Sequence, residues 1–428
     1  MKETDLTQGK IFQKLIKFSL PMIAGNLLQQ IYNLVDTLIV GRCLGADALA
    51  AVGSAYTLMI FITSIIIGLC MGSGAFFSED YGAGNQKKLK EDIWLSFWFI
   101  LSVSVVICAI IYPGMNFILW ILQTPKELME LTREYVTVVF VGIIFVFLYN
   151  FFAYLLRSMG NSFMPLVFLA ISSVLNIVLD IWFVAGLNMG VGGAALATVI
   201  AQAVSGLGLL IYSMIKIPVL KNNHERTGFN IQRLKEIIIN DVATGIQQSV
   251  MNFGILMIQG LVNSFGITIM ASFAAAVKID TIAYMPAQEF GNAYSLFVSQ
   301  NYGADEKDRI RKGTHISFVI SALFCVVISL MIFIFAENLM RIFIDADEIR
   351  IIAEGTRYLK IEGSMYVGIG VLFLWYGYFR GINKPHYFPF AYSYIIGNSC
   401  DTILHFGTSY TIGSNGNMEF NSYWLGVG

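Results

Sequence analysis

An apolar run without a single charge, AVGSAYTLMIFITSIIIGLCMGSGAFF, occupies residues 51–77. It is longer than the ~20 residues that a helix needs to cross the hydrocarbon core of a bilayer. It also continues well past the ~10-residue alternating strands of a transmembrane barrel. The run therefore predicts a membrane-spanning helix, and similar runs recur along the rest of the chain.

The composition of the 428-residue chain leads to the same conclusion. Apolar residues make up 56% of it and charged residues only 13%, against about 25% charged residues in an ordinary soluble domain. A soluble fold has too much surface to hide so much apolar area. With 27 basic and 28 acidic side chains, the chain also lacks the basic surface that a nucleic-acid partner requires. The expected partner is the lipid bilayer.

Ten apolar stretches of suitable length follow one another along the chain. They lie at 15–40, 51–77, 93–112, 135–156, 163–185, 193–217, 238–262, 268–299, 314–336 and 358–380. The first is too long for the apolar core of a signal peptide, and an eleventh, weaker stretch lies near 386–406. The sequence thus predicts an all-α polytopic membrane protein, in which about 12 helices are expected, the last one or two of them atypical.

The distribution of basic residues orients these spans. With the N-terminus placed inside, 19 of the 27 Lys and Arg residues fall in inside segments and six in outside segments. Segments on the cytoplasmic side carry an excess of Lys and Arg. We therefore expect a multi-pass protein of the cell membrane (inner or plasma membrane) with a cytoplasmic N-terminus.

An internal repeat divides the chain into two halves. The sequence SEDYGA at residues 78–83 returns as SQNYGA at 299–304, 221 positions later, and a long polar interruption lies between the copies at 218–237. Six spans per half make parallel repeats, related by an axis along the membrane normal. We predict two pseudo-symmetric six-helix lobes, 1–217 and 238–428, joined by a cytoplasmic linker at 218–237. This architecture is typical of alternating-access transport.

The C-terminal tail breaks the pattern. No Lys or Arg follows Lys384, and residues 398–428 are rich in Asn, Ser, Thr and Gly. One interpretation is a disordered or truncated tail. The other is a shift of the coding frame near residue 385, which would leave the last one or two helices missing or scrambled.

Acidic residues inside the predicted spans are candidate functional groups, because a charge near the middle of a span costs roughly 2.5–3.5 kcal/mol on insertion scales. Four acids qualify as candidates on this argument, namely Asp36, Asp180, Asp280 and Glu289. Polar residues at helical spacings lie around them or on neighbouring spans, namely Asn26, Gln29, Asn33, Asn176, Thr198, Gln202, Gln248, Asn252 and Tyr284. Such polar faces point into the bundle or a water-filled cavity. A purely structural polar seam is the alternative.

The chemistry of these residues leaves two coupling ions open. Two carboxylates in one pocket, Asp36 and Asp180, suit a site that loads and releases a proton. Ionised, the same oxygens together with Asn and Thr side chains suit a monovalent cation such as Na⁺. Pro21 lies in the first span, where its missing amide hydrogen permits the helix to bend.

Enzymatic signatures are missing from the sequence. It contains no HExxH, no nucleophile elbow and no P-loop, which disfavours a membrane protease, a hydrolase or an ATP-driven pump. The four His residues lie in predicted loops, at a helix start or in the tail, and the five scattered cysteines suggest no metal knuckle. We expect no enzyme activity, no metal and no cofactor.

Several motifs in order resemble the multidrug and toxic compound extrusion (MATE) family. They are Pro21, Asn33-Leu-Val-Asp36, Gly82-Ala83-Gly84-Asn85, Leu156-Arg157-Ser158-Met159-Gly160-Asn161, Tyr284-Met285-Pro286-Ala287 and Arg380-Gly381. The resemblance covers about residues 10–385. It implies twelve helices in two six-helix lobes.

The resemblance also implies an activity, which is export of organic, often cationic, amphipathic compounds in exchange for H⁺ or Na⁺. The cation-coupling residues of the family correspond here to Asp36, Tyr135, Asn176, Asp180 and Thr198. The remaining polar candidates, Asn26, Gln29, Asn33, Gln202, Gln248, Asn252, Asp280 and Tyr284, are expected to line the substrate cavity. We expect the chain to act as a monomer.

Two other functions stay open at this point. A lipid-linked oligosaccharide flippase of the same superfamily would need inward basic residues for a pyrophosphate, and Lys278 is the one candidate for such a position. A membrane receptor or scaffold would not transport at all, and would leave the buried carboxylates and the repeat without a purpose.

Overall fold

The computed structural model describes residues 5–121, 127–221, 230–263, 267–345 and 347–385, and for 46, 54, 57, 120–121, 250–253, 255–261, 263 and 267 the backbone only. A π-helical turn, Ile181–Gly186, follows the sixth helix. The helices are α1 Ile11–Leu44, α2 Ala46–Gly82, α3 Gln86–Ile121, α4 Met129–Val141, α5 Ile143–Ser158, α6 Phe163–Asp180, α7 Gly190–Lys216, α8 Pro218–Lys221, α9 Ile231–Asn263, α10 Ile267–Gly303, α11 Lys307–Phe343, α12 Ile349–Ser364 and α13 Tyr366–Gly381.

All ten main stretches predicted from the sequence coincide with helices or pairs of helices. By length and composition, six of the described helices are apolar enough to cross a membrane, and seven if α4 and α5 count as one span. The predicted all-α polytopic membrane fold is confirmed. The eleventh stretch and the tail lie outside the described residues.

The helix limits repeat with the offset of the sequence motif. The helices α2 and α10 are both 37 residues long and end at Gly82 and Gly303. The next helices, α3 and α11, begin at Gln86 and Lys307. Each pair is 221 positions apart, so the internal repeat is a repeat of structure.

In both halves, the helical region that follows α3 or α11 is interrupted. The helices α4 and α5 meet at Gly142 with a bend of 42°, and α12 and α13 meet at Met365. An interruption at matching places shows that the pseudo-symmetry extends beyond helix number to helix geometry.

The two halves come into backbone contact where α2 and α10 end. A Cβ atom added at Gly82 would overlap the backbone of Gln300, and one added at Gly303 would overlap the backbone of Glu79. The two contacts are related by the same offset of 221. Only glycine permits this approach of two helix backbones, so the contact brings the ends of the two repeats together.

The first helix belongs to both halves. Its first part packs into a core of the second half, where Leu15, Phe18 and Met22 join Phe290 and Tyr294 of α10. Its later part packs against α6 of the first half. The domain limits 1–217, 218–237 and 238–428 stay predictions, and residues 222–229 of the linker lie outside the described residues.

We predict that Gly82→Ala and Gly303→Ala both lower the thermal stability of the purified protein in detergent. Forcing a methyl group between the two backbones is a case of overpacking, which costs about 1–3 kcal/mol. The measurement is the midpoint of thermal unfolding. Gly368→Ala is the matched control, because no atom lies within 4 Å of an added Cβ there. Equal midpoints for all three variants would contradict the close contact.

Candidate functional site

Asp180 occupies an unusual place in the backbone. It is the last residue of α6, its side chain is buried, and the π-helical turn begins directly after it. In this turn the amide of Leu187 donates to the carbonyl of Trp182 at 2.9 Å. Single π-helical turns are frequent at functional sites. The carboxylate therefore lies where the regular helix stops.

Asp36 of α1 meets this carboxylate. The helices α1 and α6 pack together, and the carboxyl groups of Asp36 and Asp180 lie close to each other. Two neighbouring carboxylates repel each other unless a proton or a cation lies between them. The chemistry of the pair therefore suits a proton or a cation.

Three further side chains complete the group. The amide nitrogen Nδ2 of Asn176 donates to Oγ1 of Thr198 at 3.5 Å. The hydroxyl of Tyr135 lies near Thr198 and close to both carboxylates. The structure thus brings together all five residues predicted for cation coupling, on α1, α4, α6 and α7.

The buried oxygens of this group lack donors. Within the part of the chain that the structure describes, five of them have no hydrogen-bond partner, namely Oδ1 of Asp36, Oδ1 of Asn176, Oδ1 and Oδ2 of Asp180 and Oε1 of Gln202. Buried polar atoms are normally satisfied, and all five here are acceptors. A set of acceptors without donors is complementary to a proton or a hard cation.

Gln202 is joined to the site through the interrupted helix. Its Oε1 lies against Gly142, where a Cβ atom would overlap it. On α7 it is one turn from Thr198. The amide of Gln202 therefore packs against the bend between α4 and α5. The assignment of Gln202 to the substrate cavity stays a prediction.

The polar stripe on α1 divides between the two halves. Nδ2 of Asn26 donates to Oε1 of Glu289 on α10 at 3.0 Å. Nδ2 of Asn33 donates to the hydroxyl of Tyr56 on α2 at 3.3 Å, and Gln29 is hydrogen-bonded to Tyr32. Pro21 lies inside a continuous α1, and its role as a bend stays a prediction.

The second half holds a separate acidic cluster. The hydroxyl of Tyr366 on α13 donates to Oδ1 of Asp280 at 2.7 Å, and Tyr284 and Glu362 lie near the same carboxylate. Asp280 and Tyr284 are therefore neighbours, as their spacing predicts. Lys278 is exposed, so the buried basic residue required by a flippase is not found at this position.

Two candidates of the seventh predicted span have little structural description. Gln248 on α9 is half-buried. The side chain of Asn252 lies outside the described residues. Their assignment to the substrate cavity stays a prediction.

Sequence reasoning missed Tyr32, Glu362 and Tyr366. Tyr32 lies one helical turn before Asp36, and its hydroxyl is close to that carboxylate and to Tyr56. Glu362 and Tyr366 are four positions apart, across the interruption at Met365. The i, i+4 spacing was a usable signal in both cases, but the surroundings of each residue come from other helices.

A helical bundle built from two repeats, with an unsatisfied carboxylate pair in the first, belongs to a known class of polytopic transporters. The profile of the MatE family matches residues 21–182 and 243–406. The chain therefore belongs to the MatE family.

Similar proteins have been described in several bacteria. The probable multidrug resistance protein YpnP of Bacillus subtilis (strain 168) is 32% identical over 386 residues, which is 89% of this chain and 84% of the relative. The probable multidrug resistance protein NorM of Thermotoga maritima is 26% identical over 339 residues, 78% of this chain and 72% of the relative.

Solved structures share the fold. A crystal structure of MATE in the bent conformation superposes with a TM-score of 0.83 at 22% identity, over 90% of this chain and 85% of that one. A MOP superfamily transporter from Pyrococcus furiosus Vc1 superposes with a TM-score of 0.79 at 22% identity, over 90% and 86% of the two chains. These likenesses confirm the two-lobed architecture.

We predict that Asp36→Asn raises the thermal stability of the ligand-free protein at pH 9.5, measured in Na⁺-free buffer. At that pH both carboxylates of the wild type are ionised and repel each other, whereas an Asn side chain donates a hydrogen bond to Asp180. The advantage of the variant shrinks at pH 5, where a shared proton relieves the wild-type pair. The measurement is the melting midpoint at both pH values. Asp345→Asn, at an exposed carboxylate, is the control, and a pH-independent difference for Asp36→Asn would contradict the prediction.

Proposed function

We propose that this protein is a secondary active multidrug exporter, which moves organic, often cationic, amphipathic compounds out of the cell in exchange for H⁺ or Na⁺. The names of its relatives, which include multidrug export protein MepA of Staphylococcus aureus at 23% identity, support the substrate class. No cofactor takes part, and transport is not an enzymatic reaction.

The observation that carries the coupling is the set of unsatisfied oxygens around Asp36 and Asp180. An exporter of this kind must bind its coupling ion on one side of the membrane and release it on the other. A site made only of acceptors binds a cation when one is available and is strained when empty. This difference between the loaded and the empty state is what a coupled transporter requires.

In this proposal the ion acts through α1. Loading the pair removes the repulsion between Asp36 and Asp180 and draws α1 toward α6. Pro21 removes one backbone hydrogen bond from α1, so the helix bends there more easily than elsewhere. Tyr135, Asn176 and Thr198 orient the ion. The movement changes the cavity and releases the substrate.

The orientation follows the basic residues. The excess of Lys and Arg in the segments on the side of the N-terminus places that side in the cytoplasm. The substrate then enters from the end of the bundle that carries residues 5–10, 82–86 and 303–307, here called the N-terminal end.

The test is dye efflux from an efflux-deficient bacterium. Cells that express wild-type protein are expected to expel a cationic dye when energised. Cells that express Asp36→Asn are expected to lose the dye no faster than cells that carry the empty vector. Asp345→Asn is the matched control and should pump normally. Protein amounts in the membrane are compared by immunoblot. Wild-type efflux from Asp36→Asn would refute the coupling site.

A transport assay with purified protein in liposomes distinguishes H⁺ from Na⁺ as the coupling ion. A proton gradient applied without Na⁺ is expected to drive uptake of dye if the pair carries H⁺, and a Na⁺ gradient at constant pH if it carries Na⁺. In either case Asp180→Asn should abolish the driven component and leave passive leakage unchanged. Drive by neither gradient would contradict coupled antiport.

A further inference from the structure

The segment before α1 is bound to the second half of the chain. The amide of Leu6 donates to Oε1 of Gln300 at 3.1 Å, and Nδ2 of Asn301 donates to the carbonyl of Leu6 at 3.3 Å. The side chain of Leu6 is fully buried in the core that contains Phe297. Residues 5–9, here called the first strap, therefore lie on the ends of α10 and α11.

Arg309 is the centre of this contact. Its guanidinium donates to three carbonyls of the first strap, those of Leu6 at 3.1 Å, Gly9 at 2.8 Å and Gln8 at 3.0 Å. It also lies 5.9 Å from the centre of the Phe297 ring. Three charge-assisted hydrogen bonds to one short segment fix its path across the second half.

The start of α9 makes the reverse contact with the first half. Arg233 binds Asp92 of α3 through two bonds, Nε to Oδ1 at 2.9 Å and Nη2 to Oδ2 at 2.6 Å. Its Nη2 is 3.6 Å from Asp80 of α2, and its guanidinium lies 4.4 Å from the ring centre of Phe76. Residues 230–241, here called the second strap, hold the first half in this way.

The second strap is bound deeper as well. Oγ of Ser73 donates to Oδ2 of Asp241 at 2.5 Å, and Nδ2 of Asn240 donates to the carbonyl of Gly72 at 3.1 Å. Asp241 and Asn240 are buried. The contacts therefore extend from Arg233 to Asp241, over about two turns of α9.

On the side of the lobes, the two contacts are related by the internal repeat. The equivalent positions, each 221 apart, are Phe76 and Phe297, Asp80 and Asn301, and Lys88 and Arg309. An arginine lies over the equivalent phenylalanine in both. In one contact the strap supplies the arginine and the lobe supplies carboxylates. In the other the lobe supplies the arginine and the strap supplies carbonyls. Equivalent positions of the two lobes thus bind a strap through different chemistry. This difference indicates that the contact itself has a role, whichever groups make it.

We propose that the two straps are crossed latches that close the N-terminal end of the bundle, and that Arg309 and Arg233 are positioning residues for the transport cycle. Each latch runs from the start of one half to the second and third helices of the other. Separation of the halves at this end requires both to release. The assignment rests on the proposed export function, because opening this end is the step that admits substrate from the cytoplasm.

Arg309 is the better residue to test. Removal of Arg233 would leave Asp92 buried without its cation, which endangers folding, whereas Asp80 would keep Lys88 at 3.1 Å. Removal of Arg309 leaves only carbonyls, which water can hydrate. Arg309→Gln is the main variant, and Leu6→Ala weakens the same latch from the side of the strap. Arg311→Gln is the matched control, because Arg311 is exposed and only two positions away.

The measurement is a distance across the N-terminal end. Spin labels are attached at Gln86→Cys and Lys307→Cys, two exposed and equivalent positions, after the five native cysteines are replaced by Ser. Distances are recorded in liposomes by double electron–electron resonance. Arg309→Gln and Leu6→Ala are expected to raise the ratio of long to short distances roughly tenfold, the effect of losing a charge-assisted contact or a buried anchor. Arg309→Lys should restore part of the short distance.

The control decides the result. Distances in Arg311→Gln should match those of the wild type. Unchanged distances in folded Arg309→Gln and Leu6→Ala, or the same change in Arg311→Gln, would overturn the latch. The distance between the two labels can be measured whether or not the protein transports. If the distances change as expected but the protein shows no efflux, the proposed export function is contradicted and the latch is not. If the distances stay unchanged in a protein that shows efflux, the latch is contradicted and the export function is not.

Discussion

Backbone contact between α2 and α10 at Gly82 and Gly303 is the constraint on which the rest of this structure depends. Two helices that touch without intervening side chains cannot slide or separate in small steps, because packed interfaces have few alternative arrangements. The contact sets the two repeats side by side at one end. It thereby brings the straps within reach of the opposite half, and it leaves the carboxylate pair further along the first half.

The first helix connects these parts. Its leading strap is held by Arg309, its first turns pack into the second half, Asn26 reaches Glu289, and Asp36 faces Asp180. A single helix therefore carries Asp36, one of the two carboxylates proposed to bind the coupling ion, and it follows directly on the segment proposed to close the N-terminal end. Any movement of α1 caused by an ion at Asp36 acts on both halves, since long-range coupling travels through packed elements that have two arrangements.

Much of this was predictable from local patterns. Apolar stretches gave all ten helical regions, and the repeat of SEDYGA gave the offset that the helix limits follow. The resemblance to the MATE family named the five residues that meet around Asp180. Other features were not predictable. Glu362 and Tyr366 surround Asp280 across an interruption, Lys278 is exposed, and Arg233 and Arg309 look like ordinary basic residues of loops.

The sequence by itself determined the membrane class, the helices and the pseudo-symmetry, because burial in lipid and periodicity act along the chain over short distances. Only the tertiary structure decided which polar groups meet. Asp36 and Asp180 are 144 positions apart, and Arg233 and Asp92 are 141 apart. Their contact depends on how helices from different parts of the chain pack. A buried carboxylate, or an arginine near the start of a helix, has its chemistry set by the partners that packing brings to it.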